Sequence, residues 1–279
     1  MIRFSAGIFL IAQVFVFMKA NPLVGDHVFP ADPREFPFIA SIRRKFPEEQ
    51  LNRKHICTGA LITQKHIITA AHCCHFIQMH EIDVIVAEEN WTTPNFIYEI
   101  DSWITYNAWA RATGKTIEFL SNDVMIIKLS SPVNREVITP INITIWNEQQ
   151  LHRTNAFMFG WNISSVNSGN IMLVKGQVTI LTNRAYEHRL RLMTNEHHEI
   201  TKNYLVSSAD PYILSSCGDS GAPLVDKDNV LLGITLGTCP TVGWGNFSLE
   251  FYRQYIINLH VNVYYYREFF EYVITLFGE

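Results

Sequence analysis

The sequence predicts an all-β protein, and three observations carry that reading. Short apolar runs recur from residue 36 onward with turn-forming residues between them. Val, Ile, Phe and Thr enrich the runs, as in a β-sandwich or barrel. Only one stretch, at the C-terminus, reads as a good helix. With 48 % hydrophobic and 13 % aromatic residues, the chain has the material for a packed core and is not a disordered one.

The elements follow in order. Residues 1–20 carry Arg3 near the start, then an apolar run from Gly7 to Met18 that Lys19 ends before the small Ala20. The run is shorter than the roughly 20 apolar residues a membrane-spanning helix needs, and it fits a secretory signal peptide. The strand candidates are FPFIASI (36–42), ICTGALI (56–62), HIITA (66–70), IDVIVA (82–87), DVMIIKLS (123–130), NAFMFGW (155–161), GQVTIL (176–181) and NVLLGITLG (229–237). The polar region from about Asn195 to Ser208 reads as a loop. Tyr264 to Phe277 has apolar residues at steps of three and four and reads as an amphipathic helix.

Charge excludes one function class. The formal net charge is -4, the pI is about 6.3, and no basic stripe stands out in the sequence. That argues against a nucleic-acid binder. Secretion agrees with four N-glycosylation sequons, at Asn90, Asn142, Asn162 and Asn246. Five cysteines in an oxidising compartment imply two disulfides and one leftover thiol.

The stretch CGDSGAPLV, Cys217–Val225, raises the question of chemistry. Taken alone, Ser220 between an aspartate and a glycine is a turn serine. To be a nucleophile it needs a base within reach and a third group to hold that base. TAAHCC (69–74) offers His72 at the end of an apolar run, and SNDVMIIKLS (121–130) offers Asp123 at the head of another. Each alone suits a structural role as well. An aspartate entering a buried strand is costly unless paired, however. The three stand in the chain order His, Asp, Ser, which is one of the known triad orders; a lipase-type elbow expects G-x-S-x-G and the order Ser, Asp, His.

With these flanks the chain resembles the chymotrypsin/trypsin-like secreted serine proteases. TAAHC is similar to the family's histidine box, NDVMIIKL to its aspartate box, CGDSGAP to its serine box, FMFGWN (157–162) to its glycine–tryptophan strand, and PLVGDHVFPADPREFPFIASI to its mature N-terminus. The resemblance implies two six-stranded antiparallel β-barrels, about 35–140 and 141–262, with the active site in the cleft between them and a helix at 264–277. Residues 21–22 would be a short propeptide and 23–279 the peptidase domain.

The same resemblance implies the roles. Ser220 is the nucleophile, His72 the base and acid, and Asp123 the group that orients His72. The N–H groups of Gly218 and Ser220 form the oxyanion hole. The α-ammonium of Leu23 pairs with Asp219. Ser215, Ser216, Thr235, Leu236 and Gly237 bind substrate, with Gly243–Gly245 a rival for the last segment. Disulfides Cys57–Cys73 and Cys217–Cys239 are implied, leaving Cys74. No metal or cofactor is expected. The partners are a protein or peptide substrate, no nucleic acid and no membrane, for a secreted monomer.

The chain departs from the family in four places. Pro22 precedes Leu23, so a cut after Arg or Lys cannot release Leu23; removal of Asn21–Pro22 by a dipeptidyl peptidase would. Cys217 adjoins Gly218 directly, one residue short. Ala222 replaces a glycine, with strain if its φ is positive. The segment 258–260 is not glycine-like, which narrows or blocks the pocket, and no acidic residue lies at its base, so Arg/Lys specificity is not expected. The alternative reading is an impaired protease homologue that binds or regulates.

Overall fold

The structure is a computed structural model that describes residues 23–45, 55–88, 94, 96–119, 121–134, 136, 138–162, 172–195, 197–239 and 253–277. Residues 1–22, where a signal peptide and a two-residue propeptide are expected, and Asn90, Asn246 and Gly243–Gly245 lie outside the described residues.

The chain begins with two short strands, β1 (Val24–Gly25) and β2 (Val28–Pro30). Six strands then form the first sheet: β3 (Ile39–Arg44), β4 (His55–Leu61), β5 (His66–Thr69), β6 (Ile82–Val86), β7 (Ile100–Thr105) and β8 (Met125–Leu129). Their order is β6-β3-β4-β5-β8-β7, all antiparallel, and a single bridge from Val84 to Tyr98 curls the sheet toward closure. The second half holds β9 (Asn142–Ile143), β10 (Asn155–Asn162), β11 (Met172–Ile180), β12 (Tyr204–Ser208), β13 (Ile213–Leu214), β14 (Pro223–Val225), β15 (Val230–Cys239) and β16 (Ile257–Asn262). The order β10-β14-β15-β16-β12-β11 returns to β10 through the β10–β11 pairing, so six strands close into a barrel. Closure removes the open edges that would otherwise invite pairing with another chain.

In the first sheet β5 and β6 are β-branched and buried on both faces. All five residues of β6 and all four of β5 are buried. One apolar core fills the first sheet and a second fills the barrel, where Met158, Val178, Leu205, Leu224 and Leu232 meet Leu23. The C-terminal helix spans Arg267–Phe277, three residues later than the sequence pattern suggests, because Tyr264–Tyr266 form a turn. Its Phe269 packs on Trp109 and Tyr106, at ring distances of 5.4 and 5.8 Å, so the chain's last element docks on the first half.

Two sequence expectations are corrected. Tyr204–Ser208 is a fully buried strand, not loop, because β16 pairs along it from Val261 to Asn258. Among the described residues three further α-helices exist, at Tyr106–Ala112, Glu148–Leu151 and Asn183–Thr194. The third is capped by the Thr182 side chain on Ala185 N–H and stopped by Asn195 at φ 57°.

Candidate active site

His72 sits in a tight turn, Ala71–Cys74, directly after β5. A disulfide from Cys73 to Cys57 ties that turn to β4. Asp123 stands two residues before β8, which pairs with β5, so the sheet brings the two together. Asp123 Oδ1 accepts the His72 backbone N–H at 2.8 Å, and Oδ2 accepts His72 Nδ1–H at 2.6 Å. Burial acts to raise the Asp123 pKa. The bond from the His72 ring, its charge and its backbone N–H outweigh burial and hold the carboxyl below the ordinary range. An ionised carboxylate only accepts, so Nδ1 carries the proton and Nε2 keeps the basic lone pair.

Ser220 lies on the turn between β13 and β14. Its carbonyl accepts Thr58 N–H at 2.8 Å, and Gly221 N–H donates to Thr235 O at 2.7 Å, so β4 and β15 grip the turn from both sides. The Cys73 sulfur is 3.9 Å from Ser220 O, which sets the histidine turn beside the serine. The Ser220 hydroxyl makes a long hydrogen bond, 3.4 Å, to Leu236 O.

The glycines of this turn are required by geometry. Gly218 has φ +97°, and an added Cβ would lie 2.9 Å from the His55 ring. Gly221 has φ +85°, and a Cβ there would lie 2.0 Å from Thr58 O. Positive φ thus falls on glycines alone in this turn. Ala222, buried and outside the left-handed region, carries none of the strain expected for it.

Sequence reasoning missed His55, Ser41 and Thr58. His55 is buried, and burial is the main reason its pKa is pushed down to about 4. It is therefore neutral near pH 7. Its Nε2–H donates to Gly218 O at 2.9 Å, Thr58 Oγ1 donates to the same oxygen at 2.9 Å, and Ser41 Oγ sits 2.7 Å from Nδ1. These bonds fix the plane of the peptide that follows Gly218. The only signal was a histidine at the head of an apolar run; its partner is 163 positions away.

Asp219 is 1 % exposed. Its Oδ2 accepts Ser216 N–H at 2.9 Å, and Trp161 N–H also reaches it. Burial nonetheless lifts its pKa well above the usual carboxylate value. Leu23 is buried nearby: a Cβ on Gly160 would meet Asp219 Oδ1 at 2.3 Å and Leu23 Cβ at 3.0 Å. The pairing of β1 with β13 holds this segment in place.

A family model described as Trypsin matches residues 27–256. This chain belongs to the trypsin family. It is similar to Serine protease 41 of Homo sapiens, 25 % identical over 241 residues that cover 81 % of this chain and 70 % of that one. It is also similar to Trypsin of Phaedon cochleariae, 23 % identical over 88 % of this chain and 89 % of that one. Trypsin alpha of Drosophila melanogaster is 24 % identical over 75 % and 73 %.

In this trypsin-family chain the residues expected to line the substrate pocket hydrogen-bond one another. Ser215, Thr238 and Asn258 are all buried. Ser215 N–H donates to Thr238 Oγ1 at 2.8 Å, Thr238 Oγ1 donates to Asn258 Oδ1 at 2.7 Å, and Asn258 Nδ2 donates to Ile213 O at 2.8 Å. Thr235 faces His260, Oγ1 to Nδ1 3.2 Å, while His260 Nε2 meets Ser207 Oγ at 2.8 Å. Leu236 and Gly237 are half-buried, and a Cβ on Gly237 would meet nothing within 4 Å. Ser216 has its N–H committed to Asp219.

The implied Cys217–Cys239 bridge is not formed; both residues are thiols here. The short turn accounts for this. Ser216 and Asp219 close on each other through Asp219 N–H to Ser216 O, 3.1 Å, and pin Cys217 between them. Burial also raises both thiol pKa values, which disfavours the reactive thiolate. Cys74 is a buried thiol pushed up to about 12 by burial. The donor atoms of Cys57, His72 and Cys73 lie within 4.8 Å of one another, but the two sulfurs are bonded together, so the cluster offers a metal one imidazole.

Proposed function

We propose that this chain is a secreted serine endopeptidase that cleaves through an acyl-enzyme. The observation that carries this is the doubly hydrogen-bonded His72–Asp123 pair beside the Ser220 turn. Ser220 Oγ attacks the scissile carbonyl as its proton passes to His72 Nε2. The N–H groups of Gly218 and Ser220 bind the oxyanion, and each such donor is worth about 10²–10³ in rate. The C–N bond then breaks as the leaving amine takes the proton from His72. Water, activated the same way, releases the acid and restores Ser220.

Asp219 supports an activation step. A carboxylate this buried needs a cation, and the α-ammonium released at Leu23 by loss of Asn21–Pro22 supplies one. Signal-peptide removal after Ala20 and a dipeptidyl peptidase would produce it. The polar closure by Thr238 and Asn258 argues for a small uncharged residue at the substrate's cleavage position, and against Arg or Lys. Asn142 is the sequon best supported, since it is exposed beside β15. Among the described residues no helix is long and apolar enough to cross a membrane.

The closed pocket also favours a second reading, a protease-like binding protein without turnover. Fluorophosphonate labelling separates the two. Protein beginning at Leu23 should label on Ser220 and the Ser220→Ala variant should not. A folded Leu23 form that stays unlabelled rejects the peptidase.

A further inference from the structure

The segment that carries Asp123 belongs to the first half of the chain, yet residues from the far half hold it. Asn122, next to Asp123, is 6 % exposed. Its Nδ2 donates to Asn107 Oδ1 at 2.9 Å and to Phe119 O at 2.7 Å, and its Oδ1 accepts Tyr266 O–H at 2.8 Å. One residue earlier, Ser121 O accepts Tyr204 O–H at 3.0 Å and Asn203 Nδ2–H at 3.2 Å. Asn203 Nδ2 also lies 3.3 Å from Tyr266 Oη. Glu118 takes Lys202 at 3.0 Å and Tyr265 O–H at 3.0 Å.

Tyr266 is the centre of this grip. It is 1 % exposed, and its ring stands edge-on to Tyr106 and Tyr265 at 4.8 and 4.9 Å. A phenol buried this deeply needs a partner for its O–H, and Asn122 Oδ1 is that partner. Asn122 then has both ends of its amide engaged and a single orientation. The next residue must place two carboxylate oxygens on His72 at 2.8 and 2.6 Å. Such constellations tolerate errors of about 0.5 Å.

We propose that Tyr266, acting through Asn122, is a positioning residue that holds Asp123 in register with His72. The idea rests on the peptidase reading. It also gives the C-terminal docking a role in catalysis: the second half and its terminal turn set the geometry of a carboxylate in the first.

The test compares Tyr266→Phe with Phe269→Leu in protein beginning at Leu23. Tyr266→Phe keeps the ring and removes one donor. Phe269→Leu loosens the same docking without touching the 118–123 segment. For Tyr266→Phe, kcat on a small activated ester should fall about tenfold, part of the 10²-fold that a 1 Å misplacement can cost, with KM unchanged. The acid limb of its kcat/KM profile should move to lower pH, because a displaced Asp123 stabilises imidazolium less. The downfield proton resonance of His72 Nδ1 should shift upfield. Phe269→Leu should lower the melting temperature and leave kcat and the acid limb alone. Tyr204→Phe, which removes one of the two donors to Ser121 O, serves if Tyr266→Phe does not fold, and should act in the same direction with smaller size. Active wild type with unchanged rate, limb and resonance in the tyrosine variants overturns the positioning role alone. Wild type inert to fluorophosphonate overturns the peptidase reading and this inference with it.

Discussion

The triad corner and the pocket are made of the same material, buried polar side chains, and use it in opposite ways. Around Asp123 the hydrogen bonds form an open chain: Tyr266 O–H donates to Asn122 Oδ1, and the His72 backbone N–H and Nδ1–H donate to the Asp123 carboxylate. They end near a serine hydroxyl whose own described bond is long, at 3.4 Å. Around Ser215 the bonds turn back on themselves, through Thr238 and Asn258 to the Ile213 carbonyl. The first arrangement leaves capacity for a reacting group. The second consumes it and leaves a substrate side chain little to meet. On the proposed peptidase reading, chemistry is set in one region and selectivity in another, and the two should fail separately.

The sharpest break of that comparison is Asp123→Asn. It preserves shape but presents an amide N–H to His72 Nδ1, which favours the wrong tautomer. The expected loss in kcat is about 10⁴, with substrate preference unchanged, measured on esters that differ only in the side chain at the cleavage position. A loss much smaller than this would mean that the carboxylate does not set the His72 tautomer.

Asn258→Gly works the other way. It removes the side chain that closes the pocket and leaves the triad corner untouched. The kcat/KM for a substrate with Leu or Phe at the cleavage position should rise by roughly 10–200-fold relative to Ala, the span that methylenes in an apolar pocket command. Equal ratios in wild type and variant would show that the Ser215–Thr238–Asn258 network is not the selectivity wall.

The same contrast explains what the sequence disclosed. His72, Asp123 and Ser220 were legible as candidates because each sits in a short local motif beside an apolar run, and their chain order adds a joint constraint. The most apolar strands were legible from their short β-branched runs between turn residues, whereas Tyr204–Ser208, equally buried but ending in two serines, was not. His55, Thr58 and Tyr266 were not, because their roles exist only through partners up to 163 positions away and their own neighbourhoods read as ordinary strand or helix. The helix at Asn183–Thr194 was missed although Thr182 and Asn195 are good cap residues. Its buried face is only Tyr186, Leu190 and Met193 amid charged residues, too sparse for an apolar stripe to stand out. Cys217 and Cys239 were paired by analogy, and the shorter turn at Gly218 undid that analogy locally.

The smallest effect concerns proton linkage in three buried histidines. His55 under the Gly218 turn and His66 are pushed down to about 4, and His260 behind Thr235 to about 3, in each case chiefly by burial. An unfolded histidine titrates near 6.5. Below that pH the unfolded chain takes up protons that the native state refuses, so stability falls as pH drops from about 6.5 toward 4. Each group contributes about 1.4 kcal/mol per pH unit inside that window. Asp219 opposes them in the uncleaved chain, because its raised pKa means that the native state there holds a proton the unfolded state has already lost. Pairing with the Leu23 ammonium would remove that opposition. Urea unfolding between pH 7 and 4.5, on Ser220→Ala protein with and without residues 21–22, should show the steeper acid loss in the form that begins at Leu23. His260→Asn should lower the slope in both forms by about one histidine's share. Identical slopes in the two forms would mean that Asp219 gains no cation from the new terminus, which would remove the activation step proposed for Leu23.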